Sequence, residues 1–354
     1  MAWIVPRKAG YVGIRRIRGH DYIRGYDHMH HKLMRASART AVIGAVIVLG
    51  STAAAQGAMA KPAPSGIVSV ACNTPALVSA FAGASNGEKL QLAFGCTYRL
   101  TEPLPNLDTN TTIVGMGATL ERSKADGTRD FTILTVAGGD VNLVEVNFRN
   151  GGGGGDDDGV VADDDVNDYG GAIYNAGGNI TVLGGTFTDN GDVEYGGAIF
   201  NADGTLTMTS AYFIGNNAYY GGAIYNEDTM TLRSTHFLGS EAEYGGAIYN
   251  DDDATVIGTS FTEDEAYYGG ALDNEHQAAL SYVTIKNNYG GYGAGIYNDD
   301  SLAVDHSNIV HNYAEYEGGG IYYDDGTVTL SLTKVSGNGP DNCYPNGSIT
   351  GCSG

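Results

Sequence analysis

Carboxylates and tyrosines recur along this sequence at a fixed interval, and both could do chemistry. Glu227, Asp251, Glu275, Asp299 and Asp324 form one column, and Asp203, Asp228, Asp252, His276, Asp300 and Asp325 form the next. Like charges stacked about 4–5 Å apart repel by roughly 1 kcal/mol per pair even in water. Such a stack invites cations, and Ca²⁺ takes oxygen ligands of this kind. The residues expected to hold calcium are Glu227, Asp228, Asp251, Asp252, Asp299, Asp300, Asp324 and Asp325. The competing reading is a solvated acidic edge that keeps the molecule soluble.

The tyrosines fall into two columns. Tyr195, Tyr220, Tyr244, Tyr268 and Tyr292 stand just before glycines, whereas Tyr225, Tyr249 and Tyr297 lie between an aliphatic residue and an asparagine. The second set alternates with residues expected to face a core, so it is expected to face outward. Stacked rings would brace a sheet; an aromatic strip edged with acids could also dock sugar rings or a cationic partner.

Catalysis by a polysaccharide lyase needs a basic residue beside a uronate and a divalent ion. From residue 140 to residue 338 the basic side chains are Arg149, Arg233, Lys286 and Lys334, and they fall too far apart in the repeat to form a cluster. A polygalacturonase-type hydrolase would show a Gly-His-Gly segment, and none occurs. His236, His276, His306 and His311 are scattered, and acids are too abundant to nominate a general acid–base pair. A divalent-dependent lyase or other carbohydrate-active enzyme is therefore the alternative to a binding protein. Asp156–Asp158 and Asp163–Asp165 match calcium loops only in fragments, because Asp168 and Tyr174 stand where such a loop needs Gly and Glu.

The interval itself specifies the elements. Glycine-containing words begin at Gly170, Gly196, Gly221, Gly245, Gly269, Gly293 and Gly318, in steps of 24 to 26 residues. An independent column runs Phe187, Phe213, Phe237, Phe261, Ile285, Ile309 and Val335. Three residues beyond each stands Asn190, Asn216, Ser240, Asp264, Asn288, Asn312 or Asn338. Two columns sharing one period mean a solenoid. Between the words apolar residues alternate, as in Met230 and Leu232 or Leu302 and Val304, which is a strand signal. Two or three short strands per repeat make one turn of a parallel β-helix, with successive turns about 4.8 Å apart.

That architecture assigns roles. Ile173, Ile199, Ile224, Ile248, Leu272, Ile296 and Ile321 should fill the core. Asn175, Asn201, Asn226, Asn250, Asn274 and Asn298 should form a corner ladder of stacked amides. The paired glycines suit a bend that needs positive φ or close backbone approach. Residues from Thr74 read as a short helix plugging one end, with Pro75 near its first position. Regular repeats are expected over 170–338, and a C-terminal cap over 339–354.

Residues 1–60 differ from the rest. Nine Lys/Arg, the apolar run Ala41–Leu49 and the Ala58-x-Ala60 site read as a secretory leader cleaved after Ala60, with Met34 as the expected true start. The cluster His28, His30 and His31 falls in this stretch and is given no metal role. Residues 61–354 are expected to be the exported, extracellular β-helix, with no integral membrane segment once the leader is gone. Ten Lys/Arg then face 39 Asp/Glu, a balance that repels nucleic acid and anionic membranes. Four cysteines allow three pairings. In a rod with Cys72 and Cys96 at one end and Cys343 and Cys352 at the other, only Cys72–Cys96 and Cys343–Cys352 can meet. Each staple is worth roughly 2–4 kcal/mol.

The words "GGAIYN" and "FxxN" are similar to the repeats of chlamydial polymorphic outer-membrane proteins. The chain over about 68–354 more closely resembles secreted actinobacterial right-handed parallel β-helix repeat proteins. In these a Cys-bearing helical start, turns like "TIVGMGATLER" and an end like "PDNCYPNGSITGCSG" recur together. The resemblance implies a right-handed, pectate-lyase-like coil without a settled activity. No barrel follows residue 354, unlike the chlamydial proteins, which points to release. The expected fold is thus an all-β, single-stranded right-handed parallel β-helix of about ten turns. The expected function is a non-catalytic, adhesin-like structural or binding protein, with calcium as its candidate ion and a glycan, cell-wall or protein surface as partner. An ice-binding role fits less well, since it favours flat Thr ladders.

Overall fold

The computed structural model describes residues 66–153 and 169–352. The expected leader with Met34 and Ala60, and the aspartates Asp156–Asp158 and Asp163–Asp165, lie outside those residues. The chain divides into two compact units, Met1–Lys61 and Pro62–Gly354, and all that follows concerns the second.

A regular turn contains four short strands. One turn reads Ile224–Asn226, Thr229–Arg233, His236–Leu238 and Glu241–Tyr244. Each pairs in parallel with its copy in the next turn: Ile224 opposite Ile248, Met230 opposite Ala254, Phe237 opposite Phe261, Tyr244 opposite Tyr268. The result is a right-handed parallel β-solenoid of about 11 turns with one short helix. Among the described residues its sheets hold 18, 10 and 6 strands. The first two strands of each turn belong to one sheet because two turns run them together, as Ile173–Leu183 and Ile199–Thr209.

Four strands arise where two or three were expected because the chain bends more often than the apolar pattern reveals. One corner column is turned by left-handed residues that are mostly not glycine: Ser210 (φ 57°), Ser234 (49°), Tyr282 (55°), His306 (46°) and Leu332 (47°). Such a conformation costs an L-residue roughly 1–2 kcal/mol, which the paired strands on both sides must offset. The opposite corner is the glycine pair, and its two members meet different demands. Gly221 adopts φ 63°, which a side chain opposes. Gly222 lies so close to the following turn that a Cβ would overlap the carbonyl oxygens of Gly246 and Glu241.

The core lies inside the coil. The Ile173-to-Ile321 column is buried throughout, and so are Met230, Leu232, Val256, Leu280 and Val304. Phe148, Phe187, Phe213, Phe237 and Phe261 stack face to face along the ten-stranded sheet, with centroids 5.2, 4.7, 4.8 and 4.9 Å apart. Fully burying one such side chain contributes about 1.5–3 kcal/mol.

Polar corners close the turns. Asn175, Asn201, Asn226, Asn250, Asn274 and Asn298 are fully buried. From Asn175 to Asn274 each amide nitrogen donates to the side-chain carbonyl oxygen of the next, at 2.7, 2.8, 2.9, 2.9 and 2.9 Å. The same nitrogens also donate to backbone carbonyls, for example Asn298 to Asp300 at 2.8 Å. A second buried ladder follows the phenylalanine wall, with Asn190 donating to Asn216 at 3.0 Å, Asn288 to Asn312 at 2.9 Å and Asn312 to Asn338 at 3.0 Å.

The ends are covered. The helix Thr74–Ala82 is capped by Asn73, whose side chain accepts the Ala76 N–H at 2.9 Å, and it buries Leu77 and Phe81 against the first turns. Cys72–Cys96 staples this end and Cys343–Cys352 the other. Cys343 itself extends a ladder, pairing opposite Ile321.

Candidate functional site

The tyrosine columns depart from the outward strip expected of them. Tyr220, Tyr225, Tyr249 and Tyr297 are buried, with Tyr225 fully so, and Tyr195, Tyr244, Tyr268 and Tyr292 are half-buried. The physical reason is the bend at Gly221–Gly222. It folds the outer faces of its two arms towards each other, so side chains that leave the main core meet outside it. Tyr225 stacks on Tyr249 at 5.0 Å and Tyr195 on Tyr220 at 5.5 Å, while Tyr220 meets Tyr249 edge-on at 5.3 Å. With Phe200 these rings form a second apolar core. Burial pushes the Tyr225 and Tyr249 phenols well above the usual tyrosine range, and the charges of Glu227 and Glu275 push the same way.

A different set of tyrosines is exposed. On the six-stranded sheet, Glu241, Glu265, Tyr289 and Tyr313 stand in register on consecutive turns. Tyr289 and Tyr313 are 40% and 55% exposed and stack at 5.9 Å with 17° between planes. Tyr316 is exposed too, its ring centroid 5.0 Å from that of Tyr292 and 6.2 Å from that of Tyr267, the latter pair meeting edge to face. Tyr219 extends the exposed set towards the earlier turns. The face is acidic as well as aromatic: burial and the Glu241 charge raise Glu265, while burial and then Glu315 and Glu265 raise Tyr289. Sequence reasoning missed Tyr289, Tyr313 and Tyr316 because they lie outside the repeated word. Their one signal was the "YGGYG" and "YAEYE" spelling after the Asn column of the second ladder.

The two acidic columns behave differently. Glu227 accepts the Tyr225 hydroxyl at 3.2 Å, so the inner column lies along the tyrosine core. Asp251 is buried, and Glu275 is held well above the usual carboxyl range by burial, then by the charges of Asp273 and Asp299, and by a hydrogen bond with Asp299. Asp273 takes a tyrosine's place in the ring column, opposite Tyr249 and Tyr297. The outer column serves turns. Asp228 accepts the Gly204 N–H at 2.9 Å and the Thr229 N–H at 2.7 Å, and Asp325 accepts the Gly326 N–H at 2.7 Å. Asp299 is half-buried, and Asp300 and Asp324 are exposed. Of the eight residues expected to hold calcium, only Asp252 joins a convergent group. Among the described residues that group is Asp252, Asp253 and His276, whose ligating atoms all lie within 4.8 Å of one another.

The basic residues remain dispersed. Arg149 bonds Glu121 at 2.6 Å; Lys286 shares its outward column but lies five turns on. Arg233 stands in a column that Asp305 joins three turns later. His236 stacks on Tyr212 and His306 on Tyr282, each at a corner of its own. Among the described residues no helix is long and apolar enough to cross a membrane. Compared with protein-family models, curated proteins and solved structures, the chain matches none. The fold and the face thus define its class by geometry alone: a disulfide-stapled parallel β-solenoid with an aromatic and acidic flank.

Proposed function

We propose that this chain is a secreted, non-catalytic binding module that docks a glycan or cell-wall surface through the exposed flank of its six-stranded sheet. It would stand among the actinobacterial right-handed β-helix proteins it resembles. The observation that carries the reading is the pair Tyr289 and Tyr313, exposed and stacked on successive turns directly beyond Glu241 and Glu265. The exposed edges of these rings, spaced by one solenoid turn, and the outermost ring face offer apolar surface to the C–H groups of sugar rings, and neighbouring carboxylates accept sugar hydroxyls. A platform of rigid rings costs little side-chain entropy on binding.

Charge narrows the ligand class. The face holds Glu241, Glu265, Glu315 and Glu317 and no basic residue, so uronate polymers are repelled and neutral or amino-sugar glycans fit. The dispersal of Arg149, Arg233, Lys286 and Lys334 supports binding over lyase chemistry. Glycan arrays with the Tyr289→Ala and Tyr313→Ala variants test the reading: both should lose retention of any glycan the unaltered chain retains.

A further inference from the structure

Outside that flank, one side-chain group has the composition of a metal site. His276 occupies the outer acidic column, where the flanking turns carry Asp252 and Asp300. Its Nδ1 lies 3.2 Å from Asp252 Oδ1 and 3.5 Å from Asp253 Oδ1. Yet Nδ1 is shielded from solvent and makes no hydrogen bond of acceptable geometry to either oxygen. A ring nitrogen in this place pairs with the two carboxylates only when it carries a proton; without one, its lone pair and two carboxylate oxygens face a gap that a cation can fill.

The spacing does suit a shared ion. Ligands held about 2.0–2.2 Å from a tetrahedral metal are separated from one another by about 3.4 Å, between the two distances found here. We infer that Asp252, Asp253 and His276 bind one divalent transition-metal ion, with zinc as the best match. An imidazole together with two carboxylates suits zinc or cobalt, whereas calcium seeks six to eight oxygens and has little use for a ring nitrogen. Three protein donors leave one position for water.

The site is built on a fixed backbone. The Asp252 carbonyl accepts the Asn250 amide at 2.5 Å, and the His276 carbonyl accepts the Asn274 amide at 3.1 Å and the Ser301 N–H at 2.8 Å. Asp253 pairs in register with Gln277. The buried Asn ladder thereby holds both turns beneath the donors. The side chains themselves are open on one flank, His276 being 42% and Asp253 55% exposed, which leaves an entry path.

Zinc titration of the full chain by calorimetry tests this, with His20, His28, His30 and His31 changed to Gln so that leader imidazoles do not compete. One saturable zinc ion per chain is expected. His276→Asp, which restores the column's usual residue, should weaken it by at least about tenfold without changing the circular dichroism spectrum. Asp253→Asn should weaken it similarly. With cobalt, an exchangeable imidazole proton should appear as a strongly shifted NMR signal, and it should vanish in Asp253→Asn. Zinc binding that His276→Asp leaves unchanged would overturn the site, and so would the absence of a saturable event. Should His276→Asp fail to fold, the cobalt signal decides: its presence supports the site and its absence overturns it.

Discussion

Asp264 Oδ1 accepts the backbone N–H of Ser240 at 2.9 Å, the position an asparagine carbonyl takes elsewhere in the same ladder. Its own N–H donates to Asn288 Oδ1 at 3.0 Å. In the turns that carry asparagine, Nδ2 donates onward, as Asn216 does to the Phe187 carbonyl at 3.0 Å and Asn312 to Ile285 at 3.1 Å. Asp264 Oδ2 stands where that donor belongs and is fully buried without a hydrogen bond. Burial raises this carboxyl well above its ordinary range, outweighing the backbone N–H bonds that lower it.

Because the folded-state pKa is raised, the stabilising effect is complete below the unfolded carboxyl pKa of about 3.9. It is lost as pH rises through the folded value. Asp264→Asn supplies the missing donor at every pH. The variant should be more stable than the unaltered chain by about 1–3 kcal/mol at pH 8, with the gap shrinking towards pH 4. Thermal unfolding across that pH range measures it. Glu275 and Glu265 are raised too, so the variant's slope should be reduced but not abolished.

Much of this was legible in the sequence, and the limits have physical causes. Strict columns such as Ile173 to Ile321 and Asn175 to Asn298 reveal a solenoid because stacked turns place identical residues in identical surroundings. The cysteine pairs follow once the rod has two ends. Alternation, however, says only that Tyr225 leaves the core beside Ile224. It cannot say that the Gly221–Gly222 bend brings a second set of rings over it. Nor could His276 be told from a solvated histidine, since its meaning depends on where Nδ1 sits between Asp252 and Asp253 on the preceding turn.

The two tyrosine sets should respond differently to truncation. Tyr225→Ala removes a fully buried ring stacked 5.0 Å from Tyr249 and should cost about 3–5 kcal/mol. Tyr313→Ala, on the exposed flank, should stay within about 0.5 kcal/mol. Denaturant unfolding of both variants makes the comparison. Equal effects would mean that the second core does not exist as described.

The corner ladder should be intolerant of an apolar replacement. Asn250→Leu leaves the Asn226 amide without its 2.9 Å acceptor and Asn274 Oδ1 without its 2.9 Å donor. Each buried group left unsatisfied costs about 1–3 kcal/mol. The midpoint of thermal unfolding should fall accordingly, and by more than for Thr229→Leu at an exposed strand position.

Binding through the six-stranded flank is tested most directly by measuring retention of neutral and amino-sugar glycans by the full chain, beside its Tyr289→Ala/Tyr313→Ala double variant. The expected result is saturable retention, weakened at least about tenfold in the variant at an unchanged unfolding temperature, with the glycan recovered intact. Equal retention by the variant, or release of unsaturated fragments from the glycan, would contradict it.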